Sequence, residues 1–174
     1  MTHLADHNIA GPLKSRPTAR HGSAADAKRR VHCQDDRWPA VAAALAGLRT
    51  AKRCSVRIVD ADCGAGTLLL CAVRHARALG FTAIEARGVD DVPKLVDKAC
   101  KAAAVVHDPA IGITFETGDL VRALCEETEF PADIIVWHGC RACDAKNAGA
   151  ITDMAACAGH TVISDPADAD RAAA

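Results

Sequence analysis

The segment Ile58-Val59-Asp60-Ala61-Asp62-Cys63-Gly64-Ala65-Gly66-Thr67 constrains this chain more than any other. A short apolar run ends in a carboxylate, turns through a tight glycine-bearing loop, and enters the Ala- and Leu-rich stretch from Thr67 to Leu79 directly. That order is strand, turn, helix, with no residue to spare. Gly64 and Gly66 expose backbone that a ligand can approach closely, which a side chain there would prevent. The first turn of the helix also offers unsatisfied N–H groups to an anionic or polar ligand group.

The same alternation continues downstream. Val56 to Val59 reads as the first strand, and the helix from Thr67 is stopped by Gly80. Ala83 to Val89 is predicted as the second strand and Val92 to Val106 as the second helix, ended before Pro109. Ile111 to Phe115 is the third strand, after which Asp119 caps a helix reaching about Glu129. Ala132 to Trp137 is apolar enough to be a strand buried on both faces. Asp144 to Ala158 reads as a helix ending at Gly159, and Thr161 to Ile163 as a fifth strand. Ahead of the first strand, Pro39 opens a helix over 39–50, in the first turn where its missing N–H costs nothing. Short right-handed crossovers turn this series into an α/β fold, a doubly wound, Rossmann-like parallel sheet of order 3-2-1-4-5. Ligands bind such sheets outside the carboxyl ends of the strands, where strands 1 and 4 diverge.

Composition agrees with one such domain. Half of the 174 residues are apolar, but only 3% are aromatic, so Val, Ile, Leu and Ala must fill the core. No stretch approaches the roughly 20 apolar residues of a membrane span, and no secretory signal opens the chain. Nine cysteines form no regular framework, which reads as reduced thiols in a cytosol. The overall charge of -1 hides an asymmetry, net +6 over residues 1–55 and net -7 over 56–174. A basic arm of this kind suits nucleic acid or a membrane surface, although a solvated, unstructured leader explains it as well. Residues 1–36 are therefore expected to be a disordered leader, 37–165 the domain, and 166–174 a flexible tail.

Asp60 to Gly66 resembles the first motif of the class I S-adenosylmethionine-dependent methyltransferases, an acidic residue followed by alternating glycines. The resemblance runs on in order over about 80 residues: Gly88-Val89-Asp90, Thr117-Gly118-Asp119-Leu120, and Pro131 to Val136 each look like the next motif. It implies that S-adenosylmethionine is the cofactor and that the methyl acceptor is a small molecule or a macromolecule the sequence does not identify. It implies that Asp60, Asp62, Cys63, Gly64 and Gly66 line the methionine end, that Asp90 holds the ribose hydroxyls, and that Asp119 and the Leu120 N–H meet the adenine. A carboxylate accepts two hydrogen bonds from a diol, which suits Asp90 at a strand end. Asp62 departs from the pattern, standing where the family usually has its first glycine. It would either accept from the ligand's ammonium or repel its carboxylate. As plain structure, Asp60 would brace its loop, Asp90 would be a solvated strand end, and Asp119 would be only a helix cap. Asp133, at the start of its strand, lies on the wrong edge for the site and is expected to be structural.

After the fourth strand stands Trp137-His138-Gly139-Cys140-Arg141-Ala142-Cys143. The family places groups beside the transferred methyl here, so His138 is the candidate catalytic base. Trp137 is expected in the core. Three soft or borderline ligands in six residues invite zinc, but a structural site needs a fourth, and no metal is expected. A nicotinamide site would want a third glycine where Leu69 stands.

The rival functions are a non-catalytic nucleoside-binding or protein-interaction module on the same fold, and a flavodoxin-like scaffold that would not need Gly64, Gly66 and Asp90 at their spacing. Family members usually continue past the fifth strand. Here about ten residues follow Val162-Ile163, which leaves strand 5 as a free edge. A homodimer or partner protein is expected to cover that edge.

Overall fold

The structure is a computed structural model and describes residues 33–139 and 148–165. In chain order it contains α1 (Trp38–Thr50), β1 (Ser55–Asp60), α2 (Thr67–Ala78), β2 (Ala83–Asp90), α3 (Pro93–Ala103), β3 (Ile111–Thr117), α4 (Leu120–Glu127), β4 (Ala132–Trp137), α5 (Ala148–Ala158) and β5 (Gly159–Ser164). The five strands form a parallel sheet in the order β3-β2-β1-β4-β5. This is the α/β, Rossmann-like arrangement that the alternating strand and helix patterns predict, and the sequence reverses direction between β1 and β4.

Each strand has a two-residue period, and the two halves of that period feed separate cores. Ile58, Ala86, Ile134 and Val136 meet Leu45 of α1 and Leu69 and Val73 of α2 on one face. Val59, Val89, Ile135 and Trp137 meet Leu124 of α4 and Ile151 and Ala155 of α5 on the other. All six residues of β4 are buried, as a strand covered on both faces must be. Trp137 lies in the core as expected.

The element boundaries differ from the expected ones in informative places. The helix after β2 starts at Pro93 and stops at Ala103, three residues short of Val106. β3 runs on to Thr117, because Glu116 and Thr117 still pair with Val89 and Asp90. Gly159, read as a helix stop, is the first residue of β5, and a Cβ on it would collide with the side chain of Ile135. Of the leader expected over 1–36, residues 1–32 lie outside the described residues. Cys33 packs against the first core, and Asp35 grips the Arg37 guanidinium at 2.9 and 2.7 Å. Cys140, Cys143 and the expected helix start at Asp144 also lie outside the described residues, as does the tail from 166.

Asp133 behaves as expected. Its carboxylate accepts from the backbone N–H of Arg57 at 2.8 Å and from the Arg53 guanidinium at 2.9 Å, at the amino edge of the sheet. Nearby, Glu127 on α4 is almost fully buried and receives both Arg57 and Arg87 from the sheet. No helix among the described residues is long and apolar enough to cross a membrane.

Candidate functional site

The carboxyl ends of β4, β1 and β2 are stitched together through the loop after β1, and the residue after β3 is tied to β2 in turn. The N–H of Ala61 donates to the carbonyl of Val136, and the N–H of Cys63 donates to Val89, both at 2.9 Å. Gly64 N–H donates to Oδ2 of Asp90 at 2.8 Å, and Gly118 N–H reaches the Asp90 carbonyl at 3.0 Å. The loop thus rests on both neighbouring strands before Gly66, in the left-handed region at φ 75°, opens α2.

The two glycines of this loop have different reasons to be glycine. Gly64 has φ +54° and nothing within 4 Å of where a Cβ would stand, so its open side is available to a ligand. At Gly66 a Cβ would lie 2.6 Å from the Phe115 ring and 2.9 Å from Ala99. The same ring occupies the space above Gly88. The small size of Gly66, expected to serve ligand approach, is taken up by intramolecular packing. Cys63 is buried, its Sγ touches the Gly64 carbonyl at 3.7 Å, and burial followed by the charges of Asp60 and Asp90 pushes its thiol well up, so it stays protonated.

Asp90 is 2% exposed and has work for both oxygens, Oδ2 on Gly64 and Oδ1 on the N–H of Val92 at 2.9 Å. It is the brace of the loop, and each oxygen keeps one further lone pair. Asp119 is the N-cap of α4. Its Oδ1 accepts from Val121 and Arg122 at 2.9 and 3.1 Å, while the Leu120 N–H stands in the first turn, where helix amides lack intrahelical partners. Thr117, Gly118 and Asp119 border a small hollow of about 90 Å³ at that end of the sheet.

Asp60 is the unusual group. It is fully buried, and neither carboxylate oxygen has a hydrogen-bond partner. Burial pushes its carboxyl up to about 7, against the opposing pull of Arg37, His138 and the Asp62 backbone. Asp62, itself 6% exposed, adds a second carboxylate to the loop and works in the same direction as burial.

Arg37 was not singled out from the sequence. It is 3% exposed, with Nε and Nη2 on Asp35 and Nε also 3.4 Å from Asp165. Nη1 is buried and unpartnered, like the carboxylate of Asp60. Burial disfavours its charge, but Asp35, Asp60 and Asp165 more than offset that and raise its affinity for the proton. One sequence signal was available: a basic residue in the N-cap position of α1, where the helix dipole favours acidic or hydroxyl side chains.

His138 follows β4 immediately, two residues beyond Val136, the neighbour of Asp60 in the β1–β4 register. Its Nδ1 lies 2.8 Å from Oδ2 of Asp165, which follows β5 immediately. The carboxyl edge therefore gathers Asp60, Asp62, Cys63, Gly64, Asp90 and His138 with Arg37, while Asp119 and Leu120 stand at the β3 end. Among the described residues no group of three His, Cys, Asp or Glu side chains is arranged to hold a metal.

A larger cavity, about 570 Å³, opens at the opposite, amino edge of the sheet, beside Arg53, Thr82, Phe130 and His160. The ionic groups there pair with one another, Arg53 with Asp133 and Arg57 with Glu85 and Glu127. At the other edge the carboxylate oxygens of Asp60 and Nη1 of Arg37 are buried without hydrogen bonds, and the raised Asp60 carboxyl marks that edge as the functional candidate.

No family model matches the chain, and no curated protein matches it. Several solved structures do resemble it. One is described as a putative class I S-adenosylmethionine-dependent methyltransferase from Listeria monocytogenes, with 22% identity and a TM-score of 0.49, the match covering 64% of this chain and 32% of that one. A second is magnesium protoporphyrin IX methyltransferase from Synechocystis with bound S-adenosylhomocysteine, at 18% identity and TM-score 0.47, covering 78% of this chain and 63% of that one. A third is human methyltransferase-like protein 13 in complex with S-adenosylhomocysteine, at 17% identity and TM-score 0.43, covering 59% and 47%. In each case this chain spans less than two thirds of the other protein's length. Function is therefore read from the chemistry of the site itself.

Proposed function

We propose that this chain binds S-adenosylmethionine at the carboxyl edge of its sheet and transfers the methyl group to an acceptor. The observation that carries this reading is that the carboxylate oxygens of buried Asp60 and Nη1 of buried Arg37 lack hydrogen-bond partners, in a site whose Gly64 backbone has an open side. Burying such groups without partners costs several kcal/mol. A ligand with an ammonium and a carboxylate on one carbon is complementary to both. In this reading Asp60 faces the ammonium, Arg37 the carboxylate, and the Gly64 backbone the chain between them. Asp90 offers its remaining lone pairs to the ribose diol, and Asp119 with the Leu120 N–H meets the adenine. His138 stands on the acceptor side.

When bound, the donor supplies a methyl group made electrophilic by its sulfonium. The protein's own contribution is placement, since an aligned acceptor within about 3–3.5 Å of the methyl recovers several kcal/mol of the barrier.

Thermal shift with S-adenosylmethionine and S-adenosylhomocysteine is the direct test. At ~100 times its dissociation constant a ligand adds about 2.7 kcal/mol, or a rise of about 5–10 °C for a domain of this size. No rise with either nucleoside at millimolar concentration would remove the reading. Asp62 favours a second reading, a nucleoside-binding module that does not transfer, because it places another buried carboxylate at the methionine end. Binding without methyl transfer to any of a broad panel of acceptors would select it.

A further inference from the structure

We infer that His138 and Asp165 form a general-base dyad, and that the acceptor at this site is a hydroxyl or N–H group that loses a proton as it is methylated. The inference rests on the methyl-transfer reading above and adds the class of acceptor and a positioning role for Asp165.

The dyad follows from the register of the sheet. Trp137 of β4 pairs with Ser164 of β5, so the next residue on each strand, His138 and Asp165, leaves the sheet side by side. Their contact is Nδ1 to Oδ2 at 2.8 Å. A carboxylate only accepts hydrogen bonds, so the ring proton sits on Nδ1 and the neutral imidazole keeps a bare lone pair on Nε2. Among the described residues Nε2 has no hydrogen-bond partner, and the side chain is 36% exposed. Asp165 is itself held from behind, its Oδ1 lying 3.4 Å from Nε of Arg37, which Asp35 grips in turn. Among the described residues, the charged groups around His138 are the carboxylates of Asp165, Asp35 and Asp60, with the Arg37 guanidinium among them.

The proton balance is simple. The heteroatom–hydrogen bond of the acceptor breaks, its proton goes to Nε2, and its electron pair becomes the new bond to the methyl carbon. The pair of the broken carbon–sulfur bond stays on sulfur, and the imidazolium later returns the proton to water. A carboxylate, thioether or tertiary amine has no proton to lose, so for such an acceptor the dyad would be idle.

The test needs no acceptor. S-adenosylmethionine and S-adenosylhomocysteine differ by one methyl and one positive charge. If Nε2 faces the methyl position, the donor's charge opposes protonation of His138 and the neutral product does not. Even fully screened by water, a unit charge within about 5 Å moves a titration by about half a pH unit. With the full chain labelled with ¹⁵N-histidine, two-bond ¹H–¹⁵N spectra should find the neutral ring protonated on Nδ1. The His138 titration midpoint should be lower by about half a unit or more in the donor complex than in the product complex. Asp165→Asn should lose the Nδ1–H preference. If both nucleosides raise the melting temperature but the two complexes titrate alike, or if Nε2 carries the proton, the dyad is refuted while the binding reading stands. If neither nucleoside raises it, the binding reading fails and the dyad falls with it. Should Asp165→Asn not fold, the two wild-type complexes still decide the matter.

Discussion

The backbone N–H of Gly64 donates to Oδ2 of Asp90 at 2.8 Å, so the loop after β1 hangs on a carboxylate from β2. The other oxygen of Asp90 holds Val92 at 2.9 Å. Hydrogen bonds to a charged group contribute about 1.5–3 kcal/mol each, and a buried N–H left alone costs about 1–3. Asp90→Ala should therefore destabilise the free protein by about 2–4 kcal/mol in urea unfolding and abolish the nucleoside-induced thermal shift. Asp90→Asn, which retains an acceptor oxygen, should lose less. Wild-type stability in Asp90→Ala would mean that the loop is held elsewhere.

Gly64 and Gly66 separate binding from packing. Both have positive φ, so alanine costs about 1 kcal/mol or somewhat more at either. Only Gly66→Ala also drives a Cβ into Phe115 and Ala99, adding about 1–3 kcal/mol of overpacking. Gly64→Ala should stay folded and lose nucleoside affinity, whereas Gly66→Ala should melt well below wild type. Adding Phe115→Leu should return part of that loss, a coupling that a double-mutant cycle measures.

Asp60 makes the free protein less stable as pH rises. Its carboxyl is raised by burial to about 7, against about 3.9 in an unfolded chain. Below pH 4 the proton is bound in both states. Between pH 4 and 7 the unfolded chain releases it and the folded protein does not, so stability falls across that window and levels off above it. The full loss is on the order of 4 kcal/mol. Asp60→Asn should flatten this slope and stabilise the free protein at pH 8, while weakening any cationic ligand. Urea midpoints at pH 5 and pH 8 for both proteins would decide it; parallel pH dependence would show that Asp60 is not the titrating group.

Glu127 tests the ionic network on the α4 face independently of the site. It is 2% exposed and neutralises Arg57 and Arg87 together. Removing one partner from a buried pair typically costs about 3–5 kcal/mol, because the remaining charge stays buried. The two arginines here are one-fifth exposed, so water recovers part of that and Glu127→Ala should cost about 2–3 kcal/mol. Its nucleoside-induced thermal shift should match wild type. A lost shift would tie the network to the site.

What could be read in advance was what lies close together along the chain. The alternation from Val56 to Ile163 is enough for a parallel sheet of known order, because short crossovers leave few topologies. The loop from Asp60 to Gly66 is local, so its turn and its two special backbone positions were legible, and Asp133 was correctly placed on the far edge. Phe115 escaped notice because its partners, Gly66 and Gly88, are distant along the chain and meet it only across three elements. Arg37 escaped for the same reason, since its meaning depends on Asp60 and on Asp165 at the far end of the domain. The same distance hid the role of Asp90, whose partner is a backbone amide 26 residues earlier.

The β1–β4 contact carries one aspartate at each end, and the two are treated oppositely. Asp133 at the amino end is satisfied twice, by the Arg57 amide and the Arg53 guanidinium, whereas Asp60 at the carboxyl end has no hydrogen bond. Local opening of this seam therefore begins where the carboxylate gains most from meeting water. In native-state hydrogen exchange the Ala61 amide, bonded to Val136 across that end, should exchange through smaller openings than the Arg57 amide held by Asp133. The central pair of strands behaves like a clasp riveted at one end, with its give confined to the end where a ligand would enter.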